Sequence, residues 1–317
     1  MLVQPAQHTY RTWIIDSRRW QLYRPRPDDI VIATYPKCGT TWMQRIVSLL
    51  VLQTPEPQPI MQISPWIDRR FPEPVEAMMA RIEAQAHRRF LKNHLPFDGQ
   101  PIYDEVKYIH VARDGRDACM SLHNHALSLA PQMLDALDKS GLEDETLGHP
   151  YPRAPADPAV LFHRWLTVGV VPGHEDGSPF MSFFEFERTW WNERKRPNIL
   201  LVHYNDLKAD LSGEMQRVAA FLGVPVSPDI WPELVEAAGF EAMRQSGDTL
   251  MGAGAAMFQG GGRRFFHKGT NDRWLGVFRE EDLALYEAKV EALFSPACAR
   301  WVARGRLEAG DPRSTLD

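Results

Sequence analysis

One stretch, residues 30–42, constrains the fold more than any other part of the sequence. It begins with the apolar run Ile30 to Ala33, bounded by Asp29 and Pro36, which is typical of a buried strand in a parallel sheet. A short polar turn follows and leads into residues 42–50, which have helical apolar spacing. A strand, a tight loop and a helix N-terminus can cradle a phosphate, because the loop amides and the helix dipole both favour an anion there.

The turn carries three side chains suited to an anion. Lys37 supplies a positive charge on a flexible stem, and Thr40 and Thr41 supply hydroxyls. The order of residues differs from the Walker motif, in which a Gly-Lys pair is followed by Ser or Thr. Because no hydroxyl directly follows Lys37, the case for a bound magnesium ion is weak. An ordinary turn with a solvated lysine is the alternative for this pattern taken alone.

The composition narrows the class of protein. A chain of 317 residues with 44% hydrophobic residues can bury a sizeable core, in one large α/β domain or two smaller ones. The net charge of −5 argues against nucleic acid as the main partner. The three cysteines show neither metal-ligand nor disulfide spacing. No segment has the roughly 20 apolar residues of a membrane span, and residues 1–20 lack the apolar centre of a signal peptide. We therefore expect a cytoplasmic protein without a metal or a membrane span.

The remaining apolar patterns predict the fold class. Three more segments predict strands, at 90–96, 106–112 and 198–204. Helical spacing occurs at 41–53, 73–89, 118–129, 159–170, 180–191, 210–223, 226–240 and 280–307. Strands that lead into helices predict an α/β fold with a central parallel sheet flanked by helices, and with ligand loops at the carboxyl ends of the strands.

Three regions are expected to lie outside this framework. Residues 1–28 predict an N-terminal extension, whose final prolines block a helix. Residues 131–158, rich in Gly, Pro and acidic side chains, predict a surface excursion. Residues 252–262 contain five glycines and predict a mobile loop. The sequence has no internal repeat, and we expect one domain over residues 1–317.

The phosphate loop resembles that of a known enzyme family. Tyr-Pro-Lys-Cys-Gly-Thr-Thr-Trp at 35–42, behind an apolar strand, is similar to the 5′-phosphosulfate loop of the cytosolic-type sulfotransferases, which use 3′-phosphoadenosine 5′-phosphosulfate (PAPS). The resemblance implies a bacterial-like member with a strand-loop-helix like that of P-loop kinases. It implies cofactor binding by Lys37, Cys38, Gly39, Thr40, Thr41 and Trp42. The family usually has Ser at position 38, and Cys38 preserves the backbone amide.

A second motif, Lys-Asn-His-Leu-Pro at 92–96, also occurs in that family. On the residues alone, a single histidine at a strand end is more often structural. The resemblance implies that His94 is the general base and that Lys92 contacts the sulfuryl group. It also implies that Lys37 acts in catalysis, at the leaving phosphate.

The third motif concerns the nucleotide. Arg113 follows a strand and Ser121 comes eight residues later, which is the spacing of the family's 3′-phosphate site. The resemblance also implies that Tyr204 holds the adenine and that Phe240 lies near this nucleotide base. On the residues alone, there are alternatives to these binding roles. Arg113 could be a solvated arginine beside a helix cap, and Tyr204 could be a buried tyrosine at a strand end.

The fourth motif departs from the family pattern. The family has Arg-Lys-Gly-x-x-Gly-Asp-Trp, a segment that closes over the 3′-phosphate, and this implies binding roles for His267, Lys268 and Gly269. His267 stands where the family has Arg, and Asp-Arg at 272–273 stands where it has Gly-Asp. Arg263 and Arg264 are the candidates to supply the missing guanidinium.

These motifs extend over residues 28–278 and imply sulfuryl transfer from PAPS to a hydroxyl. Because a sulfuryl group carries less charge than a phosphoryl group, lysines can suffice where a kinase needs a metal. A nucleotide kinase is one alternative, but it requires a Walker lysine and a magnesium-binding hydroxyl. A non-catalytic nucleotide-binding module is another, although it would have no use for Lys92 and His94.

The acceptor is predicted to be a mainly apolar small molecule with a hydroxyl, such as a phenol, a steroid-like alcohol or a lipid alcohol. Apolar side chains at 60–71, 180–191 and 252–262 motivate this prediction, although core packing explains them equally well. A carbohydrate or glycolipid is the alternative acceptor, since acidic residues at 143–145 and 175–176 could bind sugar hydroxyls. The dimer segment of the animal enzymes has no convincing match at 275–284, so a homodimer stays open.

Overall fold

Four parallel strands form the centre of the computed structural model, which describes residues 1–266 and 268–317. The strands within these residues are β1 Leu2–Gln4, β2 Ile30–Thr34, β3 Phe90–Asn93, β4 Ile102–Tyr103, β5 Lys107–Ala112 and β6 Ile199–His203. The central sheet has the order β3-β2-β5-β6, and β1 pairs with β4 in a separate antiparallel ribbon. Ala33 is paired with Asn93 and Ala112 with His203, so the carboxyl ends of the strands meet at one edge. The predicted α/β fold with a parallel sheet is confirmed.

Helices surround this sheet and occupy most of its connections. The described helices are α1 Thr40–Leu52, α2 Ile60–Ile63, α3 Val75–Glu83, α4 Gly115–Leu127, α5 Pro131–Leu142, α6 Pro158–Thr167, α7 Phe183–Asn192, α8 Tyr204–Ala209, α9 Leu211–Leu222, α10 Trp231–Ala237, α11 Phe240–Gln245, α12 Gly247–Met251, α13 Gly261–Phe265, α14 Glu280–Leu293, α15 Pro296–Arg304 and α16 Arg306–Ala309. Short 3-10 helices cover Ser17–Leu22, Phe97–Gly99, Gly252–Met257 and Pro312–Ser314. In the part of the chain that the structure describes, none of these helices has the length and apolar character needed to cross a bilayer.

The central strand β2 is buried along its whole length because both faces of the sheet are covered. Ile30 and Ile32 pack on one face, in a cluster with α1 and α9. Val31 and Ala33 point to the other face and join the aromatic core that includes α6 and α7. This alternation explains why β2 reads as a continuous apolar run in the sequence.

A buried ion pair ties the N-terminal segment to the amino end of the sheet. Asp29 and Arg89 are each 1% exposed, and Arg89 Nε donates to Asp29 Oδ1 at 2.9 Å. The Tyr23 hydroxyl donates to the other carboxylate oxygen at 2.6 Å, and Arg89 also donates to the carbonyl of Arg24 at 2.8 Å. Because these hydrogen bonds satisfy the charges, residues 23–29 are held against the starts of β2 and β3.

Several predicted element boundaries differ from the structure. The single helix predicted over 280–307 is three helices, because Pro296 cannot continue the first one and Gly305 takes a positive φ of 89°. The helix predicted over 226–240 begins only at Trp231 and ends at Ala237, before Gly239, whose backbone is extended. The helix predicted over 73–89 ends at Glu83, since the chain then has to extend into β3.

The segments predicted to lie outside the framework contribute buried side chains. Trp13 and Trp20 of the N-terminal extension are nearly inaccessible to solvent. The surface excursion predicted at 131–158 needs correction, because it begins with helix α5, whose Met133 and Leu137 are buried. Residues 252–262 form a 3-10 helix and the start of α13, and the backbone around Met257 bonds to the segment 128–130.

Candidate active site

The carboxyl edge of the sheet opens into a cavity of about 280 Å³. The cavity is lined by most of the residues predicted for the site, namely Lys37, Gly39, Thr40, Thr41, Trp42, Lys92, His94, Arg113, Ser121, Tyr204, Phe240, Lys268 and Gly269. Cys38 does not line it: its thiol is buried in the core, where it packs as a small apolar side chain. His267 lies outside the described residues.

The phosphate loop has the backbone of a tight turn into a helix. Lys37 adopts a positive φ of 75° and Gly39 one of 107°, directly before α1 begins. At Gly39 a Cβ atom would approach the Tyr204 ring to 3.1 Å. Glycine is therefore favoured there by both the left-handed backbone and the close approach of the ring.

The Lys37 ammonium lies close to two ring-bearing side chains of the cavity wall. Its Nζ lies 3.4 Å from His125 Nδ1 and 4.7 Å from the centroid of the Phe265 ring. Burial, and then the charge of Arg113, lower the pKa of Lys37 to about 8. His125 was not among the predicted site residues, although it comes four positions after Ser121 and so lies on the same face of α4.

His94 lies just past the end of β3 and is held in one orientation. Its ring Nδ1 is 2.7 Å from the carbonyl oxygen of Thr34, at the end of β2, and its backbone N–H donates to Asp68 Oδ2 at 3.1 Å. This second bond explains why β3 ends at Asn93 and not at Pro96. A carbonyl only accepts, so Nδ1 carries the proton and Nε2 presents a lone pair. Burial, and then Lys92, hold the pKa of His94 well below its usual value, which keeps the ring neutral.

Lys92 and His94 share one aromatic neighbour. The Trp66 ring lies 4.1 Å from Lys92 Nζ and meets the His94 ring edge-on at 4.9 Å. The Trp66 indole N–H donates to Asp68 at 2.6 Å, so Asp68 fixes both the indole and the histidine backbone. Burial lowers the pKa of Lys92 to about 7 and raises the pKa of Asp68 to about 6.

Aromatic rings and a guanidinium form one part of the cavity wall. The Arg113 guanidinium stacks 4.1 Å from the centroid of the Tyr204 ring, and Tyr204 meets Trp42 edge-on at 5.3 Å. The Trp42 indole is itself anchored, since it donates to the carbonyl of Ala238 at 2.8 Å. A flat, positively charged wall of this kind suits a nucleotide base and its phosphates.

Hydrogen bonds hold the segment 268–273 against this part of the cavity wall. Arg113 Nη2 donates to Asn271 Oδ1 at 2.8 Å, and the Asn271 amide donates to Asn205 at 2.7 Å. The backbone N–H of Asp272 donates to Asp117 Oδ1 at 2.8 Å. These bonds place Lys268, Gly269 and Thr270 in the cavity wall.

Arg273 is a site residue that sequence reasoning missed. It lines the cavity, and its Nε, like that of Arg113, is buried without a hydrogen-bond partner among residues 1–266 and 268–317. Arg263 and Arg264, the two candidates for the guanidinium missing from the fourth motif, are exposed and do not line the cavity. The sequence did contain a signal for Arg273, because this residue belongs to the fourth motif and stands where the family has Asp.

The other half of the cavity is apolar and comes from connecting segments. It is lined by Ile60, Met61, Trp66, Phe71, Met257, Phe258, Phe265 and Phe266, which belong to residues 60–71 and 252–266. Of residues 180–191, Phe180 alone lines the cavity and the other aromatic side chains are core. The acidic residues suggested for sugar binding, at 143–145 and 175–176, do not line the cavity, and two of them form ion pairs, Asp144 with Arg11 and Asp176 with Lys289.

Comparisons with known proteins identify the family of this chain. The family model described as the sulfotransferase domain matches residues 27–295, and the chain belongs to that family. The protein is therefore a sulfotransferase, as its motifs predicted. It is 32% identical over 309 residues to a glycolipid sulfotransferase of Mycobacterium bovis, with 94% of each chain covered. It is 26% identical over 302 residues to human sulfotransferase 1C2, with 92% of this chain and 90% of that one covered.

Solved structures show the same fold. Mouse sulfotransferase SULT7A1, crystallised with PAP, superposes with a TM-score of 0.65 at 17% identity and covers 90% of both chains. A retinol dehydratase in complex with androsterone and inactive cofactor PAP gives a TM-score of 0.66 at 22% identity, covering 88% of this chain and 84% of the other.

The lowered lysine pKa values predict proton uptake on anion binding. At about pH 8 a fraction of Lys37 is deprotonated in the free protein, and a bound bisphosphate raises its pKa because it favours the ammonium. Titration calorimetry with adenosine 3′,5′-bisphosphate, repeated in buffers with different ionisation enthalpies, should show net uptake of protons and an affinity that falls as the pH rises further. Lys37→Arg should reduce the uptake, because a guanidinium stays protonated. A binding heat that does not depend on the buffer would contradict this assignment.

Proposed function

We propose that this protein transfers the sulfuryl group of PAPS to a hydroxyl of an apolar or amphiphilic acceptor. The observation that carries the proposal is the orientation of His94, whose Nδ1 faces the Thr34 carbonyl and whose Nε2 is then available as a base, in the same cavity as Lys37 and Lys92. The PAP complexes of structural relatives support the choice of nucleotide.

In this mechanism each group at the strand ends has a separate task. His94 Nε2 accepts the proton of the acceptor hydroxyl as that oxygen bonds to sulfur. The bond between sulfur and the 5′-phosphate oxygen breaks, and Lys37 neutralises the charge left on the phosphate. Lys92 stabilises the sulfuryl oxygens in the low-dielectric cavity, where a fixed cation is more effective than in water.

The nucleotide would occupy the part of the cavity that Arg113, Tyr204 and Trp42 line. We assign the 3′-phosphate to Arg113, Arg273, Ser121 and Lys268, because two guanidinium Nε groups there lack partners among the described residues. Tyr204, Trp42 and Phe240 would flank the adenine, and Thr40 and Thr41 would donate to the 5′-phosphate from the start of α1.

The acceptor half suits a molecule with a hydrophobic body and an exposed hydroxyl. Its walls are aromatic and methionine side chains, and methionine adapts to ligands of different shape. A lipid alcohol, a sterol or a phenol fits this description. A glycolipid is the second candidate, favoured by the names of the mycobacterial relatives at 32% identity.

The base assignment is tested by His94→Ala. Because a base acts in the chemical step, the variant should lose turnover by about 10²-fold to 10⁴-fold and still bind adenosine 3′,5′-bisphosphate. The exposed histidine His8 provides the control, and His8→Ala should leave both properties unchanged. Labelled-PAPS turnover and titration calorimetry measure the two properties, and near-normal turnover in His94→Ala would rule out the role.

The 3′-phosphate assignment is tested by Arg113→Ala and Arg273→Ala. Each should weaken adenosine 3′,5′-bisphosphate much more than adenosine 5′-phosphate, since a charge-assisted hydrogen bond contributes roughly 1.5–3 kcal/mol. The exposed Arg264→Ala is the matched control and should bind both nucleotides like the unmodified protein. Equal weakening of the two nucleotides would place the 3′-phosphate elsewhere.

The acceptor class is tested by a panel of phenols, sterols, fatty alcohols, glycolipids and oligosaccharides at equal concentration with PAPS. We expect turnover of acceptors with an apolar body, because the lining of the acceptor half is mainly apolar. Turnover of glycolipids above lipid alcohols would favour the second candidate. Turnover confined to oligosaccharides would overturn the apolar acceptor but not the sulfotransferase chemistry.

A further inference from the structure

Arg69 is a cation in the apolar half of the cavity. Its guanidinium lies near two aromatic rings, 6.0 Å from the Trp66 centroid and 5.9 Å from the Phe71 centroid. Nη2 donates to the sulfur of Met257 at 3.1 Å, and Nε is buried without a hydrogen-bond partner in the described part of the chain. A thioether is a weak acceptor, so the donors of this guanidinium are poorly satisfied.

The nearby carboxylates are occupied by other groups. Glu73 receives bonds from Arg81 Nη2 at 2.7 Å and Nε at 3.3 Å. Asp68 accepts from the Trp66 indole and from the backbone of His94. Within residues 1–266 and 268–317, Arg69 forms no ion pair, whereas the buried Arg89 is paired with Asp29.

Arg69 is partly buried, and a charge held away from water without an ion pair destabilises a protein unless a ligand compensates it. Burial lowers the pKa of Arg69 to about 10, with Glu73 as the opposing influence, and the group therefore stays charged at neutral pH. A guanidinium aimed into an apolar cavity is suited to an oxyanion, which it can bind through two parallel hydrogen bonds.

The position of Arg69 separates it from the nucleotide groups. It touches Trp66, Phe71 and Met257, which belong to the segments that line the apolar half. The Trp66 ring is also the neighbour of His94 and Lys92, so Arg69 and the base lie on one wall. An acceptor whose hydroxyl faces His94 can therefore place a second group beside Arg69.

We propose that the acceptor carries an oxyanion, a carboxylate or a phosphate ester, in addition to its hydroxyl, and that Arg69 binds this group. The inference rests on the proposed function, because it assigns the substrate class of the same cavity. Arg69 acts here as a specificity-determining residue: it selects among acceptors and takes no part in proton transfer.

The test compares the turnover of matched acceptors, each assayed with PAPS as the sulfuryl donor. The acceptors are ω-hydroxy fatty acids of graded chain length, their methyl esters and the corresponding ω-hydroxyalkyl phosphates. At the chain length that fits the cavity, the unmodified protein should turn over the charged acceptor about tenfold better in kcat/KM than its ester. The carboxylate and phosphate series show which oxyanion is preferred.

Variants separate charge recognition from packing. Arg69→Gln should abolish the preference for the charged acceptor while turnover of the ester persists, and Arg69→Lys should restore part of the preference. Arg264→Gln is the control, because Arg264 is exposed and does not line the cavity. Arg264→Gln should keep the preference of the unmodified protein.

Two results would overturn the inference. One is equal turnover of acid, phosphate and ester by the unmodified protein, and the other is an equal loss of all three in Arg69→Gln, which a packing role predicts. If no acceptor is turned over, the proposed function fails separately. The role of Arg69 is then decided by calorimetric titration of the acid and of its ester into the protein loaded with adenosine 3′,5′-bisphosphate. Tighter binding of the acid that is lost in Arg69→Gln supports the inference. Equal affinities for the acid and the ester overturn it.

Discussion

The parallel pairing of β2 with its two neighbours determines where the polar groups of this protein lie. Backbone hydrogen bonds set Ala33 opposite Asn93 and Thr34 opposite Val111, so the strands end side by side. His94, Arg113 and Tyr204 each follow the last residues of a strand, and all of them reach one cavity. The Thr34 carbonyl adds a direct link, because it accepts from the His94 ring and sets its tautomer. A shift of one residue in this register would separate the histidine from the phosphate loop.

The two ends of the sheet treat charge in opposite ways. At the amino end, Asp29 and Arg89 satisfy each other and hold the chain together. At the carboxyl end, Lys37, Lys92 and Arg113 lie in a confined space with few anions, and burial lowers the pKa of both lysines. Such a cluster opposes folding until an anion arrives, so ligand binding and stability are linked.

Sequence reasoning succeeded where the physics is local. The strands at 30–34 and 107–112 are buried on both faces and show as apolar runs, and the turn at 35–39 that leads into α1 is made of adjacent residues. It failed where separate segments meet. Nothing near Arg69 in the sequence indicates that its neighbours in the fold include Met257, and Arg273 reaches the cavity because Asp117 and Arg113 fasten its loop. His125 was recoverable from helical spacing alone, since it lies four residues after Ser121.

The walls of the cavity have two different origins. Groups suited to the chemistry stand at strand ends and are fixed by the sheet, whereas the apolar half comes from the connections 60–71 and 252–266. Substitutions, insertions and deletions in these connections leave the strand register intact. Lineages that share this scaffold are therefore free to diversify in the molecules they modify while the reaction itself is inherited unchanged.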